Sequence, residues 1–585
     1  MNRNVIIDVL KGCAIIAVIL YHLGVSKFGY LGVDVFFVIS GYFVTIGLIK
    51  GFSKDKFSYW SFLNKRLARL WPGLILICTV SLALGWLVML PLHFKLDCES
   101  EIGTLTFTNN FVQYITSGDY WTAENDFKPL MHTWYLGILM QFYLIIPFVF
   151  IVARKCAKQW FQTAFYILAV LSLLSLIFYL TPLMTESQNF YMLPARFFEL
   201  GAGGLLALSM HDDNRNLSNF RLSVFVGLLL LSVVLIFGTE IEALKLRLVI
   251  VAIISVAMVG YSNYFHVSPK FQKLLLPVSF LGVASYSLYL SHQVFFAFYR
   301  YIVNNVFSVA EYLWICVVSI IIGIILYLIF EKPLSRYISK RKSNMYRING
   351  LCLVLAIGLC AISIYYYKHN GLVRDIPELD LYVNGNNQTP EEYNNAPHSL
   401  NRDFPNNGRK NIFVIGDSFG RDWVNILQEA GVDSVMNISY TMYVDTYTKR
   451  RIAEADFVFV ATNLPFFESY NYENIYPELF NRKFYRVGLK SFGQNFIGNV
   501  YNKRYTSTYF VRCVKESIYS SNINRAEKQL FANEFIDMMA PIMKKDGSIR
   551  LFTDENKLIT QDGVHLTKAG AKLYAEKLNV WQYLE

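Results

Sequence analysis

No C-x-x-C pair occurs in the 585 residues, and five of the eight cysteines (Cys13, Cys78, Cys316, Cys352, Cys360) fall inside apolar runs. That argues against a thiol-based metal or redox framework, and no metal-ligating set stands out. No internal repeat is visible. No small-residue cleavage site follows the first apolar run, and other apolar runs follow it directly, so it reads as a retained span. What the chain has in abundance is apolar surface: 54% hydrophobic residues, 16% aromatic, and a positive mean hydropathy. This excludes a soluble single domain and points to a polytopic membrane protein carrying something extra. The net charge of +11 is the excess expected from Lys and Arg in cytoplasmic loops, so nucleic acid is not an expected partner; the lipid bilayer is.

Eleven candidate spans fall near 6–24, 30–49, 71–91, 134–153, 162–181, 191–210, 221–238, 247–265, 275–298, 311–330 and 349–367. Each is close to the roughly 20 residues a helix needs to cross a bilayer. Basic clusters follow the second span (Lys50, Lys54, Lys56, Lys65, Arg66, Arg69), the fourth (Arg154, Lys155, Lys158) and the tenth (Lys332, Arg336, Lys340, Arg341, Lys342). All three follow even-numbered spans, so the positive-inside rule places the N-terminus in the cytoplasm. Eleven spans then carry everything after Tyr367 to the opposite side of the membrane.

Composition divides the chain into a transmembrane domain (1–345), a linking transmembrane helix (346–370), an Asn- and Pro-rich extension (371–410) and an α/β domain (411–585). In the last of these, Asn411–Gly420 reads NIFVIGDSFG, a buried strand that ends in Gly-Asp-Ser and enters a helix. A serine at that junction lies beside exposed N–H groups able to stabilise an oxyanion. About 145 residues later comes Asp562-Gly-Val-His565, followed by a helix. Asp and His three apart can fold back so that the carboxylate orients the imidazole toward Ser418.

In the membrane part, Lys11 and His22 lie eleven residues apart on the first span. At about 100° per residue they share one helix face, separated by about 16 Å of rise. Ionisable groups in spans usually face a bundle interior or an aqueous path, but a snorkelling Lys11 and an interface His22 satisfy the spacing equally well. Asp34, His132, Arg196 and Glu199 are further ionisable groups within or beside spans. Arg196 and Glu199, three apart on one helix face, are expected to pair with each other or with a polar lumen.

Several blocks of this sequence are similar to those of the acyltransferase family 3 membrane proteins. They are a basic residue followed after ten residues by His (Lys11, His22), Gly32–Gly41 (GVDVFFVISG), Arg66-Leu-Ala-Arg69-Leu-Trp-Pro72, Pro129–Tyr143, Tyr191–Gly201, Ser285–His292 (SYSLYLSH) and Phe330–Pro333. His292 reads equally well as an interface histidine. Two departures stand out: the family's basic residue is normally Arg where this chain has Lys11, and a usual pair of glutamates is replaced by Leu139 and Met140. The Gly-Asp-Ser and Asp-x-x-His blocks resemble the SGNH hydrolase and esterase superfamily. That resemblance implies Ser418 as nucleophile, His565 as base and Asp562 as its orienter. It also implies an oxyanion hole formed by the Ser418 N–H and an Asn, either Asn463, favoured by position, or Asn495.

Together the resemblances imply a polytopic α-helical membrane domain of about ten spans plus one, followed by an exported α/β three-layer SGNH-like domain. They imply no bound cofactor and an acyl-CoA, such as acetyl-CoA, as donor, with Lys11, Arg66 and Arg69 on its phosphates and His22 handling the acyl group or proton. The acceptor is expected to be a polysaccharide or lipid-linked glycan such as lipopolysaccharide O-antigen, and the location a bacterial inner membrane. A tethered carbohydrate esterase, or a transport or scaffold protein with lapsed transferase chemistry, are the competing readings.

Overall fold

The computed structural model describes residues 4–116, 123–210, 242–262, 268–303, 307–372, 374–380, 389–468, 476–480, 484–493, 500 and 508–585. The chain divides into two compact units. One comprises Met1–Leu87, Leu96–Arg300 and Val306–Tyr367; the other comprises Val88–Lys95, Tyr301–Asn305 and Lys368–Glu585.

Seven helices among the described residues are long and apolar enough to cross a membrane: Val5–His22, Gly29–Ser53, Tyr59–Val88, Met131–Cys156, Trp160–Leu180, Val309–Lys340 and Lys342–Lys368. An eighth arises if the pair Lys270–Val283 and Ser285–Ile302, bent by 63°, is one span. The regions expected at 191–210 and 247–265 contain the helices Leu193–Ser209 and Glu242–Tyr261. The expected span at 221–238 lies outside the described residues, as does Asn495.

Local chemistry explains how these helices begin and pack. Asn4 caps the first, its side-chain oxygen accepting from the Ile6 and Ile7 N–H groups at 3.1 and 3.4 Å. Small residues then let backbones touch. A Cβ on Gly41 would lie 1.9 Å from the Leu200 carbonyl oxygen, and one on Gly203 would lie 2.0 Å from that of Val38. The Gly32–Ser53 and Leu193–Ser209 helices therefore cross in backbone contact. Gly12 and Gly282 do the same for the first helix and Pro269–Val283. The bend at Ala284 falls inside the span expected over 275–298. It places the Tyr286 hydroxyl on the Leu70 carbonyl at 2.6 Å and the Ser287 hydroxyl on Glu331, which sits in a π-helical turn, Tyr327–Glu331.

The second unit is built on a parallel sheet. Its strands are β1 (Asn411–Ile415), β2 (Asn437–Thr441), β3 (Phe457–Ala461), β4 (Phe484–Val487), β5 (Cys513–Lys515), β6 (Phe535–Ile536) and β7 (Ser548–Arg550). The order is β2-β1-β3-β4-β6, all pairs parallel, while β5 and β7 form a separate antiparallel pair. A parallel sheet is covered on both faces, which is why β1 and β3 read as unbroken apolar runs rather than alternating ones. Phe413, Ile415, Val458 and Val460 meet Ile452, Leu479 and Phe531 on one face. Phe459 points the other way, its ring 5.3 Å from that of Trp423 on the Ser418–Glu429 helix. The Asn- and Pro-rich residues 389–410 are part of this unit: the Tyr393 hydroxyl donates to Glu429, and the Ser439 hydroxyl to the Arg402 carbonyl.

Candidate active sites

In the α/β unit the chemistry gathers at the C-terminal edge of the sheet, where doubly wound folds bind ligands. Ser418 opens the helix that follows β1. Gly416 permits the turn, because a Cβ there would lie 1.7 Å from the Ala461 carbonyl oxygen. Asp417 fastens the turn: its carboxylate accepts from Phe419 N at 2.9 Å and from Asn463 N at 2.8 Å. The Tyr440 hydroxyl, on β2, bonds the Gly416 and Asp417 carbonyls at 3.0 Å each.

The Asp562–His565 turn folds back on itself. Gly563, at φ +85°, supplies the left-handed backbone that a side chain would strain. Asp562 Oδ1 then accepts from both the Val564 and His565 N–H groups at 2.8 Å, and Oδ2 lies 2.6 Å from His565 Nδ1. A carboxylate only accepts, so Nδ1 carries the proton in this bond and Nε2 is not engaged by Asp562. Burial alone would raise the Asp562 carboxyl, but the hydrogen bond and charge of His565, with the two N–H groups, hold it at about 2. The stability this pair contributes is therefore complete above the ordinary carboxylate range of about 4 and is lost as pH falls from about 4 toward 2. A pH titration of unfolding for the Asp562→Asn variant should lack that acid-side loss.

Asp422, one helical turn beyond Ser418, links the Ser418–Glu429 helix to the residue that follows His565. Its Oδ2 accepts from Leu566 N at 3.2 Å and pairs with Lys490 Nζ at 2.7 Å; both side chains of the pair are buried. Lys490 Nζ also lies 3.3 Å from the centre of the Phe419 ring. Burial pushes the Asp422 carboxyl up, and Lys490 opposes it. The Ser418 hydroxyl makes no hydrogen bond to His565 in this structure.

Asn463 is exposed on the loop after β3, its backbone N–H committed to Asp417. The loop is fixed from below by Arg486, which is wholly buried on β4. That guanidinium donates to Thr462 Oγ1 and the Leu464 carbonyl at 3.0 Å each and to Glu527 at 2.8 Å, while Glu527 accepts Phe466 N at 2.7 Å. Arg486→Met strands Glu527 and should cost about 3–5 kcal/mol. A second change, Glu527→Leu, should recover much of that, as thermal unfolding of both variants would show.

In the helical unit a cavity of about 420 Å³ is lined by Lys11, Arg66, Arg69, Tyr135, Tyr143 and Tyr289 among others. Lys11 Nζ lies 3.6 Å from Asp8, and Arg66 stacks over Phe62 and Tyr143. Leu139 lines the same cavity, so an apolar wall stands at one of the two positions where the resemblance expects a carboxylate. Beyond Tyr289 three buried histidines meet. His22 and His132 lie 5.1 and 5.2 Å from His292, and Tyr289 packs on both His132 and His292 while its hydroxyl bonds the His132 carbonyl. The first helix runs unbroken from Val5 to His22, so Lys11 and His22 share it. Arg300 closes its end, donating to the His22 carbonyl at 2.6 Å. Arg196 pairs with Glu199 at 3.0 Å and also with Asp34 at 3.1 Å, tying the second helix to Leu193–Ser209 through a buried triad.

Sequence reasoning passes over Asp8, Tyr135, Tyr289, Arg300, Asp422, Lys490 and Arg486. The tyrosines read as core aromatics, and the others are lone charges whose partners lie far away in sequence. Asp8, one turn before Lys11, is the one with a local signal.

The α/β unit thus holds Ser418 and the Asp562–His565 pair, and the helical unit a cation-lined cavity whose Tyr289 packs on two of three buried histidines. Residues 4–328, more than half of the chain, match the acyltransferase domain family, and the chain belongs to that family. It is 29% identical over 390 residues to the O-acetyltransferase OatA of Staphylococcus aureus (strain MRSA252), a match covering 61% of this chain and 62% of that protein. It is 28% identical over 307 residues to the putative peptidoglycan O-acetyltransferase YrhL of Bacillus subtilis (strain 168), covering 49% of this chain and 47% of YrhL. The chain thus spans about half to three-fifths of the length of these relatives. No solved structure matches it.

Proposed function

We propose that this protein is a multi-pass membrane O-acyltransferase, most simply an O-acetyltransferase, that moves an acyl group from a cytoplasmic acyl-CoA to a hydroxyl of a cell-surface polysaccharide. The observation that carries the reading is the pairing, in one chain, of a cation-lined cavity beside buried histidines with an SGNH-type serine site. Lys11, Arg66 and Arg69 suit the donor's phosphates, and His22 handles the acyl group or its proton. The name of the Bacillus subtilis relative, a putative peptidoglycan O-acetyltransferase, favours peptidoglycan as acceptor over lipopolysaccharide O-antigen.

At the exported site the acyl group rests on Ser418 as an ester. A sugar hydroxyl gives its proton to His565 Nε2 as its oxygen attacks the acyl carbonyl, and the Ser418 N–H and the Asn463 amide steady the oxyanion. The carbon–Oγ bond then breaks, His565 returns the proton to Ser418 Oγ, and the acyl group leaves on the sugar. A serine hydrolase site becomes a transferase when a bound sugar hydroxyl outcompetes water at this ester. A bare anchor for an esterase would need none of the buried charges around Arg196. Mass spectrometry of surface glycans from cells with and without the gene tests the reading: loss of acyl mass in the deletion supports it, and a gain identifies an esterase.

A further inference from the structure

The acceptor side of the serine site is marked by a loop that the mechanism leaves unused. Residues 442–447 leave the end of β2, which is fixed to the nucleophile turn. Gly416 N donates to the Thr441 carbonyl at 3.1 Å, and Tyr440 holds the carbonyls of Gly416 and Asp417. The loop therefore starts beside Ser418. It is also stiff. The Thr441 hydroxyl donates to the Tyr443 carbonyl at 2.7 Å, and Asp445 accepts from Tyr447 N at 3.0 Å and from the Thr448 hydroxyl at 2.8 Å. Val444 packs onto the core beneath.

This scaffold presents two aromatic rings to solvent: Tyr443 is 69% exposed and Tyr447 54%. One face of Tyr447 carries the Arg450 guanidinium at 5.2 Å. Exposed aromatics on an ordered loop beside a catalytic serine mark a binding surface rather than a folding element. A flat tyrosine ring offers an apolar face and a polar tip, matching the C–H face and hydroxyl rim of a pyranose.

We infer that Tyr443, with Tyr447 beside it, forms a stacking platform for a pyranose residue of the acceptor glycan and so holds its hydroxyl at acyl-Ser418 ahead of water. The inference rests on the transferase reading of that same site. An acetyl group is too small to use such a surface, and an acceptor fixed face-on gains the advantage of proximity that transfer over hydrolysis requires.

The test uses a deletion strain complemented with full-length variants, reading acyl mass on the cell's own surface glycans. In parallel, the purified full-length proteins are assayed for p-nitrophenol release from p-nitrophenyl acetate. Tyr443→Ala should cut glycan acylation by about tenfold, with Tyr443→Trp restoring it, while nitrophenol release stays within about twofold of wild type. Unchanged glycan acylation in Tyr443→Ala overturns the platform. So does a parallel fall in nitrophenol release, which would make Tyr443 a support of the serine loop. Unchanged glycan acylation in Ser418→Ala would instead bring down the underlying transferase reading.

Discussion

Ser418→Ala should abolish acyl transfer to surface glycans, a loss of at least about a thousandfold, because it removes the nucleophile proposed to carry the acyl group. The change is conservative at a helix N-terminus fastened by Asp417, Tyr440 and Asn463, so the domain should fold as before. Circular dichroism and thermal unfolding of the variant would verify that, and glycan mass spectrometry would read the loss. Wild-type levels of glycan acylation would remove Ser418 from the reaction altogether.

The second large effect belongs to the membrane unit. His22→Ala should reduce glycan acylation to background while leaving p-nitrophenyl acetate hydrolysis by Ser418 near wild type, because that small ester reaches the serine without the donor site. The split matters, since a variant that failed to fold would lose both activities. His22 is buried against His292, and its carbonyl is held by Arg300, so the more conservative His22→Gln keeps the space filled and serves as the companion variant. Retained glycan acylation in both variants would show that the acyl group reaches Ser418 by another route.

Much of this arrangement was legible in the sequence because it depends on local spacing. The Gly-Asp-Ser turn, the Asp562–His565 fold-back and the shared helix of Lys11 and His22 all follow from residues within a few turns of each other. The Arg196–Glu199 pair was legible for the same reason, but its third member, Asp34, lies 162 positions away and could be paired only in three dimensions. The same limit hid Lys490 behind Asp422 and Arg486 beneath the Asn463 loop. The meeting of His22, His132 and His292 was out of reach, since it depends on how separate helices pack. The bend at Ala284 was missed because hydropathy reads continuous apolar character and is blind to the Tyr286 and Ser287 anchors that hold the break open.

In the proposed reaction the acyl group passes from a donor at the cation-lined cavity to Ser418. That transfer is tested most directly with sealed inside-out vesicles containing the full-length protein, supplied on the cytoplasmic face with isotopically labelled acetyl-CoA and analysed by peptide mass spectrometry. Labelled acetyl should appear on the Ser418 peptide in wild type and be absent in His22→Ala. Equal labelling of Ser418 in both would contradict the proposed transfer.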